Sequence, residues 1–236
     1  MRKKRLRPPF ERVADIVFAC GGLLCLLPVL AAIAVLIVWD DGGPVFFRQT
    51  RVGRNGRRFE IWKFRTMGVG VPGCAITAAG DRRITRIGAW LRALKLDELP
   101  QLLNVLKGDM SVIGPRPEVP EYVQYDNPMW QAVLQVRPGI TDLATLIHRN
   151  EEQILGTFEN PRAAYRDRVL PTKLYLNVEY VHSRTLLRDL QLIFLTLRYS
   201  LFPNQFDRDH ICNVFHIGVA FYEGDHLHPL SYSFNR

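Results

Sequence analysis

The stretch Leu96–Glu118 carries the densest set of side chains in the chain that could do chemistry. It begins with adjacent carboxylates at Asp97 and Glu98 and ends just after Arg116, which stands between two prolines. Neighbouring side chains on a helix diverge by about 100°, so two such carboxylates approach a substrate from different directions and suit two separate roles. A carboxylate can attack phosphorus and form an acyl phosphate, provided that a divalent cation or arginines mask the phosphate charge.

The same two carboxylates have a simpler interpretation as residues at a helix start. Pro100 follows them closely, Asp is a favoured N-cap, and Glu suits the first turn. Arg92 upstream and Arg116 downstream supply the cations that the chemical interpretation requires. Asp109 is a further candidate metal ligand, or only part of the turn at Gly108. Local pattern alone leaves both interpretations open.

Two elements predicted upstream would position these residues. Residues 44–67 predict a β-hairpin, because apolar arms flank Asn55-Gly56, a pair that favours a type I′ turn. After a loop rich in Gly and Ala, apolar residues at helical spacing predict a short basic amphipathic helix over Ile84–Lys95. That helix suits either an anionic membrane surface or the core of the protein itself.

Two more helices are predicted further along the chain. Leu96–Pro100 opens one that continues through Val105 and ends at Gly108. A longer amphipathic helix is predicted between Thr172 and Phe202. Together with the hairpin, these elements indicate a mainly α fold with little β-structure.

An apolar run near the N-terminus indicates a membrane segment. Ile16–Val38 contains 23 consecutive uncharged residues, and a helix of that length covers about 35 Å against a hydrocarbon core of about 30 Å. A secretory signal peptide would have a shorter apolar region and a cleavage site of small residues. The run ends instead at Trp39-Asp40-Asp41.

Pro28 and the charges around this run favour a re-entrant helix over a plain crossing. A proline in mid-helix removes a main-chain hydrogen bond and favours a break or kink. Basic residues flank both ends of the run, and the positive-inside rule then places both ends in the cytoplasm. A helix-break-helix that returns to the same face satisfies that rule, while a Pro-kinked spanning helix is the alternative.

The overall composition points to an anionic partner. The 236 residues include 31 Lys and Arg against 23 Asp and Glu, a net charge of +8. Phosphorylated substrates, anionic lipids and nucleic acid all fit that charge. Nucleic acid is not expected, because the Phe and Trp residues within the arginine-rich stretch 48–65 belong more simply to a hairpin core. Four cysteines without CxxC or zinc-like spacing suit a reduced, cytoplasm-facing protein.

Five short motifs resemble those of the bacterial sugar transferase family, the monotopic polyprenyl-phosphate phosphoglycosyl transferases. The resemblance covers about residues 8–202, includes the end helix, and is closest to the short single-domain members. The matching strings are Lys63-Phe64-Arg65-Thr66-Met67, Leu96-Asp97-Glu98-Leu99-Pro100, Gly108-Asp109-Met110-Ser111, Gly114-Pro115-Arg116-Pro117 and Arg137-Pro138-Gly139-Ile140-Thr141.

The resemblance implies a monotopic membrane protein with an N-terminal re-entrant helix-break-helix, broken at Pro28, and amphipathic surface helices. Its expected divisions are a basic N-terminus with the membrane helix (1–41), a cytoplasmic catalytic domain (42–202) and an extension of unknown role (203–236). The expected location is the cytoplasmic face of the bacterial inner membrane, among its lipids. Whether the protein forms a homodimer is left open.

The resemblance also implies a two-step reaction that depends on Mg²⁺. Asp97 attacks the sugar-bearing phosphate of a UDP-sugar and releases UMP, and undecaprenyl phosphate then takes the sugar-phosphate from the aspartyl intermediate. Glu98 assists through the metal, which it would share with Asp97, or as a general base. This would be the first membrane step of exopolysaccharide, O-antigen or glycoprotein glycan synthesis. The residues expected to hold phosphates or the nucleotide are Lys63, Arg65, Arg92, Arg116 and Arg149.

Some positions depart from the family pattern. Asp142-Leu143-Ala144-Thr145 stands where the family usually has Gly-Leu-Ala-Gln, and Asn177 stands where short members often have an acidic residue. These differences bear on the donor-sugar pocket. An inactive membrane scaffold of the same fold is the alternative function, which the intact Asp97-Glu98 pair and its arginines disfavour. Residues 203–236 hold four of the six histidines without a recognisable zinc spacing, and an extension that packs on the domain is the simpler expectation.

Overall fold

A computed structural model of the chain describes residues 9–70, 77 and 80–217, with side chains from residue 11 onward. The described part is mostly helical with short strands, as predicted. The strands are β1 (Phe46–Val52), β2 (Arg58–Phe64), β3 (Ser111–Ile113) and β4 (Gly139–Thr141). The helices are α1 (Pro9–Asp41), α2 (Arg86–Ala93), α3 (Gln101–Lys107), α4 (Pro128–Val133), α5 (Leu143–Ile147), α6 (Glu151–Gly156), α7 (Pro161–Ala164), α8 (Leu170–Ser183), α9 (Leu186–Leu201) and α10 (Arg208–Phe215).

The chain divides into two compact units. The first comprises Met1–Gly73 and Asp81–Asp142, and the second comprises Cys74–Gly80 and Leu143–Arg236. The first unit therefore contains α1, the hairpin and the segment with Asp97 and Glu98. The division after Asp142 was not predicted, since no Pro- or Gly-rich linker marks it.

The hairpin forms as predicted. β1 and β2 pair antiparallel, with Phe46 opposite Phe64 and Val52 opposite Arg58. Asn55 and Gly56 both have positive φ, 58° and 74°, as a type I′ turn requires. Lys63 and Arg65 thus come to the end of the hairpin that lies away from this turn.

Helix α1 runs without interruption from Pro9 to Asp41, with Pro28 inside it. The prediction that the helix is interrupted at Pro28 is therefore wrong, because the residues on both sides of Pro28 are helical. A proline removes one main-chain hydrogen bond, and the helix continues on both sides of it. The helix is long and apolar enough to cross a membrane, and only 11% of its most apolar window is buried.

Both ends of α1 contact other elements of the first unit. Near its start, Arg12 donates to the carbonyl oxygens of Val105 and Leu106, at 2.6 and 2.9 Å. At its end, Asp41 pairs with Arg65. Between these contacts Leu24, Leu27 and Val29, which surround Pro28, are exposed.

The apolar face of α2 packs on the protein's own core. Leu91 is fully buried in a cluster with Ile33 and Ile37 of α1 and Phe64 of β2. The core alternative for this helix is therefore correct for its apolar face. Gly88 makes the close approach possible, because a Cβ there would lie 2.1 Å from the Thr66 carbonyl oxygen.

Helix α3 ends where the sequence predicts. Gly108 closes it in the left-handed conformation, φ 92°, and donates its N–H to Asn104 and Val105 carbonyls. The chain then enters β3, which pairs parallel with β4, Ser111 opposite Gly139. β3 leads directly into Gly114-Pro115-Arg116.

The second unit corrects one helix prediction. The region 172–202 holds two helices, α8 and α9, because Thr185 is extended and caps α9 by accepting from the Arg188 N–H at 3.3 Å. The start of the extension packs on this unit, where Phe215 of α10 stacks edge-on against Tyr180 of α8 at 6.2 Å. His226 and His228 lie outside the described residues.

Candidate active site

The carboxylate pair stands in a short helical turn that precedes α3. Lys95 is left-handed, φ 59°, and is followed by the 3₁₀ turn Leu96–Glu98. Asp97 and Glu98 are 6% and 9% exposed, and neither turn nor helix is capped by a side chain. Two buried carboxylates that cap nothing disfavour the simpler interpretation of the pair.

Glu98 is held by two cations. Arg116 donates to both of its carboxylate oxygens, at 3.1 Å to Oε2. The Lys63 ammonium donates to Oε1 at 2.9 Å. Burial alone would raise the pKa of Glu98, but Arg116 and Lys63 outweigh it and hold that pKa well below its usual value. Glu98 is therefore a fixed anion and a poor proton acceptor.

Asp97 has a different environment from its neighbour. Its Oδ2 lies 4.0 Å from the Lys63 ammonium, and within the described part of the chain its side chain makes no hydrogen bond. Burial raises the pKa of Asp97, and Lys63 opposes that rise. The two adjacent carboxylates therefore have different environments, because two cations bind Glu98 while Asp97 makes no hydrogen bond among the described residues.

Besides Lys63 and Arg116, two more cations, Lys95 and Arg92, belong to this neighbourhood. Burial lowers the pKa of Lys63, against the attraction of Glu98. Lys95 and Arg92 act electrostatically on Asp97, and Arg92 also donates to the Thr66 hydroxyl at 3.2 Å. The carboxylate pair therefore lies in a surplus of positive charge, which suits an anionic substrate.

The structure gives Arg65 a contact that its motif did not reveal. Its guanidinium pairs with Asp41 at the end of α1, and its Nε donates to the Pro44 carbonyl. Its Nη1 also donates to the Met67 carbonyl oxygen at 3.3 Å. Arg65 thus ties α1 to the hairpin, and its predicted phosphate contact would require it to leave Asp41.

Asp109 and Arg149 are the two remaining predicted site residues. Asp109 follows the left-handed Gly108 that ends α3, and its N–H donates to the Asn104 carbonyl at 3.1 Å. Its role as a metal ligand stays a prediction. Arg149 belongs to the second unit, where burial lowers its pKa; its phosphate-binding role stays a prediction.

The donor set fits a magnesium ion that is shared with substrate. Mg²⁺ is usually held by one or two carboxylates together with substrate phosphates and water. Asp97 and Glu98 supply two adjacent carboxylates, and Asp97 has no competing hydrogen bond among the described residues. Among the described residues no group of three His, Cys, Asp or Glu could hold a metal ion, so these residues alone form no complete metal cage.

Sequence reasoning missed two residues of this site. Lys95 places its charge beside Asp97 from a left-handed conformation that its residue type does not predict. Thr66 fixes Arg92, although it lies within the motif Lys63–Met67 that was recognised. Only that motif membership offered a signal in advance.

A known protein family matches most of the chain. The profile of the bacterial sugar transferase family matches residues 6–203. The chain belongs to this family. Residues 204–236 lie beyond the match.

Several curated proteins are similar in sequence to this chain. The chain is 39% identical over 204 residues to the exopolysaccharide production protein PSS of Rhizobium leguminosarum bv. phaseoli, covering 79% of this chain and 92% of that protein. It is 37% identical over 192 residues to a UDP-glucose:undecaprenyl-phosphate glucose-1-phosphate transferase of Caulobacter vibrioides, covering 79% and 68%. A protein of that same name from Escherichia coli is 35% identical over 193 residues, covering 79% of this chain but 39% of its own length. The chain thus spans about two fifths of the Escherichia coli relative.

Proposed function

We propose that this family member transfers a sugar-1-phosphate from a UDP-sugar to undecaprenyl phosphate and releases UMP. The observation that carries the proposal is the contrast within the carboxylate pair. Glu98 is bound by Arg116 and Lys63, while Asp97 stands beside them with no hydrogen bond among the described residues. The names of the Caulobacter and Escherichia coli relatives support the same substrates.

The first step uses Asp97 as the nucleophile. One Asp97 carboxylate oxygen attacks the phosphorus that bears the sugar, and a new P–O bond forms. The bond from that phosphorus to the bridging oxygen breaks, and UMP leaves with the electron pair. In the second step an oxygen of undecaprenyl phosphate attacks the same phosphorus, and the Asp97 carboxylate leaves unchanged.

The remaining side chains stabilise charge and hold the pair in place. Lys63 and Arg116 fix Glu98 next to the nucleophile, and Arg92 and Lys95 add positive charge near Asp97. When bound, Mg²⁺ would be held by Asp97 and Glu98 and would offset the charge of the two phosphates. The low pKa of Glu98 argues for this anchoring role and against general-base catalysis.

The contacts of α1 support a re-entrant arrangement on the cytoplasmic face of the inner membrane. The two ends of a helix that crosses a bilayer are separated by about 30 Å of hydrocarbon and lie on opposite sides of the membrane. A folded unit on one side of the membrane therefore cannot contact both ends. Arg12 and Asp41 nevertheless both contact the first unit. The exposed apolar residues around Pro28 would then enter the lipid and return.

Helix α9 supports a location at the membrane surface. Its exposed side carries large apolar residues at helical spacing, and Arg184, Arg188 and Arg198 accompany them in sequence. Such a face suits the boundary between anionic headgroups and acyl chains. The exposed apolar residues are Leu186, Leu187, Leu190, Phe194, Leu197 and Leu201.

The proposed function is tested by UMP release. The purified protein in lipid nanodiscs is given undecaprenyl phosphate, Mg²⁺ and a panel of UDP-sugars, one at a time. At least one UDP-sugar should release UMP and yield a polyprenyl diphosphate sugar in equal amount. No release from any of them would contradict the proposal, and the identity of the active donor would name the sugar.

A further inference from the structure

Arg12, near the start of α1, binds the C-terminal end of α3, the helix that follows the turn with Asp97 and Glu98. The last carbonyl groups of any α-helix lack partners within that helix. Arg12 donates to two of them on α3, Val105 and Leu106, at 2.6 and 2.9 Å. The membrane helix therefore holds α3 at the end opposite to Asp97.

Asp15, one turn further along α1, holds the strand that leads to Arg116. Its Oδ1 accepts from the Ser111 hydroxyl and from the Val112 N–H, both at 2.9 Å. Asp15 is buried, and its Oδ2 has no hydrogen-bond partner in the described part of the chain. Burying a carboxylate oxygen that has no hydrogen-bond partner costs free energy. An apolar residue at position 15 would avoid that cost.

The two residues together support both elements of the active site. Residues three apart lie on one face of a helix, so Arg12 and Asp15 reach α3 and β3 from a single side of α1. α3 follows the turn that holds Asp97 and Glu98, and β3 is followed after two residues by Arg116. Because Arg116 grips Glu98, a shift of β3 against α3 would disturb the pair directly.

We propose that Arg12 and Asp15 are positioning residues for the transfer reaction, an inference that rests on the function proposed above. They touch neither the carboxylate pair nor Arg116. They fix α3 and β3 on the membrane helix and so align Arg116 with Glu98. The position of α1 in the lipid is thereby coupled to the geometry of the active site.

The central test compares Asp15→Leu with Asp15→Asn in nanodiscs. A misplacement of about 1 Å can slow a reaction about a hundredfold, so Asp15→Leu should lower kcat at least about tenfold and change the KM for the UDP-sugar less than about threefold. Asp15→Asn keeps an oxygen acceptor for Ser111 and Val112 and should retain most of kcat. Val13→Ala, at an exposed neighbouring position, is the matched control and should behave as wild type.

A double variant tests the route of the effect. Ser111→Ala should lower kcat in the same direction, and adding it to Asp15→Leu should cause no further loss, because the hydrogen bond is already absent. Amide hydrogen exchange gives a readout that needs no activity. It should quicken over 111–116 in Asp15→Leu and not in Asp15→Asn or Val13→Ala.

The outcomes separate the two proposals. Wild-type kcat in Asp15→Leu with unchanged exchange would overturn the positioning role, and so would an equal loss in Asp15→Asn. If Asp15→Leu fails to fold, Ser111→Ala and Arg12→Gln decide through kcat and exchange. If the wild-type protein itself releases no UMP, the proposed function fails, and exchange over 111–116 still decides whether α1 holds the strand.

Discussion

The guanidinium of Arg116 donates to both carboxylate oxygens of Glu98, at 3.1 Å to Oε2. A two-point contact of this kind fixes direction as well as distance. Glu98 is adjacent to Asp97 in the chain, so the same contact fixes the turn on which Asp97 stands. This anchoring of Glu98 supports the proposal that Asp97 is the carboxylate that reacts.

Asp97→Asn should abolish turnover and the covalent intermediate while leaving the fold intact. An amide has nearly the shape of the carboxylate but does not attack phosphorus. The measurement is UMP release together with mass spectrometry of the protein after mixing with donor alone. Asp126→Asn, at an exposed position of the same unit, is the matched control and should stay active. More than a few per cent of the wild-type rate in Asp97→Asn would remove Asp97 as nucleophile.

Arg116→Lys should lower kcat by about 10- to 100-fold, because a lysine cannot hold both oxygens of Glu98. Glu98→Gln should lower it similarly, since Lys63 and Arg116 would lose their shared anion. The double variant should be far less impaired than the product of the two single effects, as expected for directly paired groups. Arg58→Lys on the exposed hairpin surface is the control. Independent, multiplying effects would show that the pair does not act as a unit.

EDTA should stop UMP release, and Mg²⁺ or Mn²⁺ should restore it. The two phosphates and the Asp97 carboxylate repel one another, and a divalent cation offsets that charge. Electron paramagnetic resonance of Mn²⁺ provides a direct readout, in which Asp97→Asn should weaken binding in the presence of a UDP-sugar. Full activity in EDTA would leave Lys63 and the arginines as the charge stabilisers.

Features determined by neighbours in the sequence were predictable. The hairpin turn follows from Asn55-Gly56 and the end of α3 from Gly108, because each needs a positive φ that these residues adopt readily. The break between α8 and α9 has a local signal too, a capping Thr185. It was missed because the apolar spacing continues across it.

Features determined by distant contacts were not predictable. Arg12 meets Val105 and Asp15 meets Ser111 across more than 90 residues of chain. Likewise, the pairing of Arg65 with Asp41 depends on how α1 lies against the hairpin. Motif membership placed Asp97, Glu98 and Arg116 in one site, but only packing distinguishes the anchored carboxylate from the available one.

Cysteines at Lys4 and Thr50 should both be labelled only from the cytoplasmic side. The native cysteines are replaced first, since Cys20 and Cys25 are exposed. Both flanks of α1 are basic, and both ends contact one unit, so neither end should reach the periplasm. Pro28→Ala restores a helical hydrogen bond and should allow part of the population to cross. Periplasmic labelling at Lys4 in the unmutated helix would show that α1 spans the bilayer.

The buried His148 should make the second unit less stable in acid. Burial and the nearby Lys173 lower the pKa of His148 to about 4, below the usual value of about 6.5. The unfolded chain therefore binds the proton first, so this contribution to stability is complete above pH 6.5 and falls as the pH drops toward 4. The difference between the pKa values of His148 in the unfolded and folded chains corresponds to about 3 kcal/mol in the free energy of unfolding.

A pH series of unfolding in His148→Gln checks this, because glutamine does not titrate. The free energy of unfolding of wild type relative to the variant should fall by about 2 to 3 kcal/mol between pH 7.5 and pH 4.5. Loss of the contact between Nδ1 and the Ala144 carbonyl shifts the variant equally at every pH. His182→Gln, at an exposed position on α8, should track wild type throughout. A difference that does not change with pH would mean that His148 titrates alike in the folded and unfolded chains.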